Sequence, residues 1–259
     1  MALTKFIFPM RPPPPWKPTN IGSCIIWLRS DYAWQDAAKA VPCTDGTLIY
    51  TGEDRSASLK DFVQAVDDNK PTYVENDTNG NPIWLFTNAV GLGVGTFLAA
   101  TSAIPIGLDE TALTAIAWVK LLGYAANSWT PVWGNGGSSN IFMGGAPDGR
   151  MASVHWPLNT GVYPADDFTL NTFHMLTYTI ERTGGVNYFE LYNKLDLKGS
   201  DSNANVAGSA VLNTLLYGYT MAGVWESTSA KFGEGAIYNR KLSFAEITNF
   251  YNNTKSRWE

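Results

Sequence analysis

Residues 173–192 read Phe-His-Met-Leu-Thr-Tyr-Thr-Ile-Glu-Arg-Thr-Gly-Gly-Val-Asn-Tyr-Phe-Glu-Leu-Tyr. The run Phe173 to Glu181 is rich in aromatic and β-branched side chains, which favour a pleated, half-buried surface. Gly184-Gly185 follows, and Val186 to Tyr192 is again β in composition. Two such runs joined through Gly-Gly specify an antiparallel hairpin. Further out, Leu113 to Lys120 is another strand, bounded by Asp109-Glu110 and Gly123, as are Ile25–Leu28, Thr47–Tyr50 and Ile83–Phe86. Short strands with no helical pattern between them predict an all-β sandwich or jelly roll and exclude an alternating α/β sheet.

One helix is specified, near the C-terminus. Ser243 and Glu246 have capping-box spacing, in which each side chain satisfies a backbone N–H of the other. Leu242 and Ile247 form the matching hydrophobic staple, and Phe244, Ile247, Phe250, Tyr251 and Trp258 recur at helical spacing. The helix is expected to pack on the sandwich.

The 259 residues carry 18 basic and 23 acidic side chains, a net charge of −5. Charged residues are 16 % and aromatics 13 %, with 10 Trp, which describes an ordered, aromatic-rich chain and not a disordered one. An acidic balance without a Lys/Arg run removes the electrostatic drive towards nucleic acid and towards anionic lipid. No stretch approaches the ~18 apolar residues of a membrane span. Neither nucleic acid nor membrane is therefore an expected partner. Cys24 and Cys43 cannot make a disulfide scaffold or a four-ligand metal site; one bridge or two buried thiols are the alternatives.

Residues 1–20 stand apart as an arm, with a single domain over 21–259. Pro12, Pro13, Pro14 and Pro15, followed by Trp16 and Pro18, cannot donate to a sheet ladder and run as extended polyproline II. The apolar residues Phe6, Ile7, Phe8, Met10 and Trp16 favour a strap laid on a partner over a solvated leader. Met1 to Pro9 is too short an apolar run for a signal peptide and is broken by Arg11 and the prolines. Synthesis in the cytoplasm is the expectation.

Leu113 to Lys120 resembles the central strand of laminin-G-like jelly-roll domains, the concanavalin A-like lectin/glucanase fold. Phe173 to Thr179 is similar to the family's aromatic-His-x-x-x-Tyr strand, and Gly233 to Ile247 to its closing strand and capped helix. Ile26 to Asp31 and Glu53-Asp54-Arg55-Ser56 resemble its first strand and an Asp-x-Ser turn. The resemblance covers residues 22–259 and implies two antiparallel sheets packed as a sandwich. Leu85-Phe86-Thr87-Asn88 departs from the family's Phe-Asp-Gly ending, and the polar stretch from Leu195 to Leu212 reads as a long insert in a ligand-bearing loop.

The family's retaining glycanases carry Glu-x-Asp-x-x-Glu on one strand, so that two carboxylates stand about 5 Å apart. No such segment occurs here: Glu190 and Asp196 are six apart, and Glu234 stands alone between glycines. No catalytic residue is assigned and the expectation is a non-enzyme. His174 reads as a satisfied sandwich histidine and His155 as a surface residue. Gly91–Gly95 and Gly134–Gly137 lack the Lys-Ser/Thr of a phosphate loop. No cofactor is required, although Asp166 and Asp167, or Asp201 with Asn203 and Asn205, offer oxygen ligands to Ca2+.

Trp27, Trp84 and Trp118 lie in strands and read as core. Trp129, Trp133, Trp156, Tyr163 and Trp225 fall in or near loops, where they make a glycan platform, a subunit interface or ordinary packing. A lectin-type sandwich with an apolar proline arm and no secretion signal resembles a bacteriophage virion component: a capsid decoration, head-fibre or tail-adhesion protein. Its partners are then other virion proteins or copies of itself. A receptor binder for surface glycans and a glycan hydrolase are the alternatives.

Overall fold

A computed structural model describes residues 16–87, 95–106, 112–123, 130–134, 141–146, 149–155, 160–162, 164, 168–204, 210–215, 217–219, 225–227 and 229–259. The chain forms the two-sheet antiparallel jelly-roll sandwich. One sheet runs, in spatial order, Asp196–Asn203, Val186–Asn193, Phe173–Thr183, Leu113–Leu121, Ala230–Tyr238, Asn81–Phe86 and Thr72–Thr78. Cys24–Arg29 joins it by pairing with Ala230–Tyr238. The other runs Thr160–Val162, Met151–His155, Ile141–Gly145, Thr130–Gly134, Ala210–Leu215, Leu98–Ile106, Phe62–Val63, Thr51–Gly52 and Ala33–Trp34. The hairpin closes with Thr183 opposite Val186. Gly184 and Gly185 both have positive φ, 60° and 84°, the backbone that a type I′ turn demands and only glycine adopts without strain.

The central strand Leu113–Leu121 is buried almost end to end. Leu113, Ala115, Ala117, Val119 and Leu121 face the second sheet, whereas Ile116 and Trp118 face the C-terminal helix Phe244–Trp258. Between the sheets Trp84 stacks on Phe232 at 5.2 Å, and Phe62 meets the edge of Trp133 at 5.8 Å. Gly235 is needed for this contact, since a Cβ there would come within 2.8 Å of the Trp133 ring.

The helix starts on the expected capping box: Ser243 Oγ accepts from Glu246 N, and the Glu246 carboxylate accepts from Ser243 N at 2.9 Å. Ile247, Phe250, Thr254 and Trp258 form its buried face. Trp118 donates its indole N–H to Thr254 Oγ1 at 2.8 Å, a polar pin between helix and sheet. Phe244 is not on that face; it is 52 % exposed.

Three other expectations change. Thr47–Tyr50 makes only an isolated pairing, Leu48 with Thr72, and the strand follows at Thr51–Gly52. The supposed insert holds the edge strand Asp196–Asn203, whose polarity suits a strand with one side open to water. Trp16 lies edge-on to Phe250 of the same chain at 5.7 Å, and Tyr238 donates its hydroxyl hydrogen to Pro18 O. Trp16 and Pro18 are thus packed on the helix and the sandwich, while Lys17, Thr19 and Asn20 are exposed.

Ile247→Ala should cost about 2–4 kcal/mol by opening the helix–sheet core, and Ser243→Ala about 1 kcal/mol, both read by denaturant unfolding. The Glu246 carboxyl is lowered to about 2, chiefly by the Arg240 guanidinium (2.8 Å) and then by the cap. A lowered folded pKa stabilises above the ordinary carboxylate range and loses that contribution as pH falls towards 2. Glu246→Gln should therefore lower stability at pH 7 and flatten its decline between pH 5 and 2.

Candidate functional site

The sequence-selected residues do not converge on one described site. Trp133 is a correction: it lies in the strand Thr130–Gly134, is fully buried, and donates its indole N–H to Ile116 O at 3.1 Å. A ring enclosed on both faces cannot stack on a sugar. Trp129, Trp156, Tyr163, Asp166 and Asp167 lie outside the described residues, as do Phe6, Phe8 and Pro12 to Pro15. The Trp225 backbone pairs with Tyr219, and its side chain lies outside the described set. Trp16, read as part of an arm for a partner, is half-buried against its own helix.

His174 is enclosed and engaged through both ring nitrogens, by Thr169 O at 3.0 Å and by the Asn193 side chain. Burial lowers its pKa, against those hydrogen bonds. Cys24 and Cys43 are free thiols, pushed up by burial to about 12 and about 11 and so protonated at neutral pH. Among the described residues no group of three or more His, Cys, Asp and Glu is arranged to hold a metal, and no helix is long and apolar enough to cross a membrane.

A surface site emerges instead from the hairpin. Phe189 and Leu191 point into the inter-sheet core, so the two-residue strand period turns Tyr188, Glu190 and Tyr192 to the outer face. Thr179 stands opposite Glu190, Glu181 opposite Tyr188, and Leu197 opposite Tyr192. Phe244, at the helix start, lies 6.1 Å from the Tyr192 ring. Tyr188, Leu197 and Phe244 are 44 %, 54 % and 52 % exposed, a concentration of open apolar surface on one face. Along the strand Tyr188 and Tyr192 are about 13 Å apart, with the carboxylate midway.

Three donors converge on a single oxygen of Glu190. Lys241 Nζ lies at 3.0 Å, and the Thr179 and Tyr192 hydroxyls each at 3.1 Å, all on Oε2. Burial raises the carboxyl pKa, but Lys241 and the two hydroxyls outweigh it and hold the group below its ordinary range. Burial and the Glu190 charge push the Tyr192 phenol up to about 12. Lys241 also approaches Glu181 Oε2 at 3.8 Å. Strand pairing thus brings Glu181 and Glu190 to one lysine, which spacing along a single strand does not reveal. An ionised Glu190 beside a lysine can accept hydrogen bonds but is poorly suited to deliver a proton.

Glu234 plays a different part. The pairing register shifts between Phe232 and Glu234, a bulge that leaves Gly233 and Glu234 both facing the helix. The carboxylate is fully buried; Oε1 accepts from the Trp27 indole N–H at 3.0 Å and Oε2 from Arg257 at 2.6 Å. Burial raises its pKa, while Arg257, the Trp27 N–H and Arg29 pull against the shift.

The chain matches no family model and no curated protein in sequence. Among solved structures its fold is similar to the receptor-binding domain of botulinum neurotoxin D (TM-score 0.59, 13 % identity, over 90 % of this chain and 53 % of that one). It is also similar to the binding domain of Paraclostridial Mosquitocidal Protein 1 (TM-score 0.58, 11 % identity, over 89 % and 52 %). A Trypanosoma rangeli sialidase matches with TM-score 0.53 and 13 % identity, over 90 % and 33 %. The chain spans about half the length of the two toxin structures and a third of the sialidase. At these identities the likeness is one of fold.

Glu234→Ala should destabilise the protein by about 3–5 kcal/mol, because it strands the Arg257 charge against the sheet. Thermal unfolding of the variant at neutral pH reads this loss.

Proposed function

We propose that the protein is a non-catalytic binding module whose ligand is a carbohydrate, held on the outer face of the hairpin. The observation that carries this reading is the row Tyr188–Glu190–Tyr192 with Phe244 at its end. Aromatic faces take the apolar side of a sugar ring, and an ionised carboxylate accepts from its hydroxyls. Tyr188 and Phe244 supply open aromatic surface, and Glu190 stays charged between them. The likeness to toxin binding domains and a sialidase supports the fold as a suitable frame. The absence of a retained proton on Glu190 supports the non-catalytic reading, since glycoside hydrolysis needs a protonated acid beside the nucleophile or base.

The virion reading rests on the apolar, proline-rich segment with Phe6, Phe8 and Pro12 to Pro15. Docking a pre-extended segment loses less conformational entropy than ordering a flexible one. Its test is deletion of residues 1–15, which should leave unfolding unchanged and abolish incorporation into a particle or oligomer; normal assembly would remove the support.

A glycan array probed with the full chain tests the main reading. Tyr188→Ala and Glu190→Gln should each weaken the best signal about tenfold and leave the melting temperature within a few degrees. Trp156→Ala or Trp225→Ala losing the signal instead would transfer the site to the loop tryptophans. Binding should hold from pH 8 to 5 and fall below the ordinary carboxylate range, as Glu190 takes up its proton. A blank array overturns the carbohydrate reading, and reducing sugar released by the wild type but not by Glu190→Gln overturns the non-catalytic one.

A further inference from the structure

We propose that the sugar held on the hairpin face carries a free ammonium group, so that the site selects an amino sugar over its N-acetylated form and over acidic sugars. This rests on the carbohydrate reading of that face and adds the charge of the ligand. Glu181 stands directly opposite Tyr188 across the strand pair. Both are open to water, the Glu181 side chain by 46 % and Tyr188 by 44 %.

The charges on this face do not balance. Glu181 and Glu190 share one cation, Lys241, which lies 3.0 Å from Glu190 Oε2 and 3.8 Å from Glu181 Oε2. The lysine is thus committed to Glu190, as are the hydroxyls of Thr179 and Tyr192. Lys241 stays beyond hydrogen-bond range of Glu181, whose carboxylate has no hydrogen-bond partner among the described residues. Arg182, next along the strand, turns to the other side of the sheet. The cations flanking the hairpin are engaged elsewhere: Arg240 by Glu246 at 2.8 Å, Lys194 by Glu259 at 2.6 Å, and Lys198 beside Asp196 at 3.8 Å. One negative charge therefore remains on the face.

An open phenol ring beside an unneutralised carboxylate suits a cation. The face of an aromatic ring attracts an ammonium within about 6 Å of its centroid. Directly opposed side chains of an antiparallel pair have Cβ atoms about 4.5–5.5 Å apart, so an ammonium over Tyr188 also meets Glu181. Glu190 stands two residues along the strand from Tyr188, about 7 Å away. All its donors are on Oε2, and Oε1 is left without one among the described residues.

An amino sugar fills both places, with its ammonium on the Tyr188–Glu181 pair and a hydroxyl donating to Glu190 Oε1. N-acetylation removes the charge that Glu181 would meet, and a uronate or other acidic ring brings a carboxylate towards two more of the same sign. A lysine side chain offers the same ammonium but no hydroxyls for Glu190, which favours the sugar.

Titration of the 15N-labelled full chain at about pH 6 and low ionic strength, with tetramers of glucosamine, of N-acetylglucosamine and of galacturonate, tests this. The hairpin amides should report the glucosamine tetramer binding about fivefold more tightly than its N-acetylated form, with galacturonate the weakest of the three. High salt should shrink that advantage, and Glu181→Gln should bring the ratio close to one. Equal binding of the first two by the wild type, tighter binding of galacturonate, or a ratio that survives Glu181→Gln overturns the ammonium proposal and leaves the carbohydrate reading standing. Hairpin amides silent to all three also overturn it, and only a blank glycan array removes the carbohydrate reading as well. Nα-acetyl-lysine amide binding as tightly as the glucosamine tetramer would assign the face to an amine-bearing peptide and overturn the amino sugar.

Discussion

A single bulge, at Gly233–Glu234, determines how the helix sits on the sandwich. It turns two consecutive residues to the same side of the sheet. The glycine makes room for the Trp258 ring, which a Cβ at position 233 would approach to 2.8 Å. The glutamate receives Arg257 from the same helix turn. A buried ion pair is costly unless its remaining lone pairs are satisfied, and the Trp27 indole N–H meets the second oxygen. The helix is thereby anchored at its end, pinned midway by Thr254 on Trp118, and capped at its start by Ser243 and Glu246.

That placement divides the outer face of the sheet into covered and open parts. Strands Leu113–Leu121 and Ala230–Tyr238 lie under the helix, which is why both are buried along almost their whole length. Beyond the helix the alternation Tyr-x-Glu-x-Tyr sets aromatic and acidic groups in one row, with Tyr188 open to water, Glu190 half-buried and Tyr192 buried beside Phe244. Lys241, next to the helix start, holds Glu190 ionised within that row. The exposure of this row is thus a consequence of where the helix begins.

Much of the fold was legible in the sequence because its signals are local. The Gly184-Gly185 turn, the β-rich runs on either side and the Ser243/Glu246 box each specify structure within a few residues. Trp133 was not legible: a tryptophan beside glycines looks like a loop residue until the opposite sheet closes over it. Strand Asp196–Asn203 was hidden by its polarity, which an edge strand tolerates. Glu234 appeared isolated because its partners, Trp27 and Arg257, come from the two ends of the chain. The hairpin row could have been found from its alternation, had exposed aromatic residues been sought on strands as well as in loops.

The central claim is that the ligand face is the open side of the hairpin and not the tryptophan-bearing loops. Backbone amide shifts on titration with an oligosaccharide recognised by the chain test it most directly. The account places the perturbed amides within residues 176–203 and around Phe244. Perturbations centred instead on residues 124–167 and 220–228, with the hairpin silent, would contradict it.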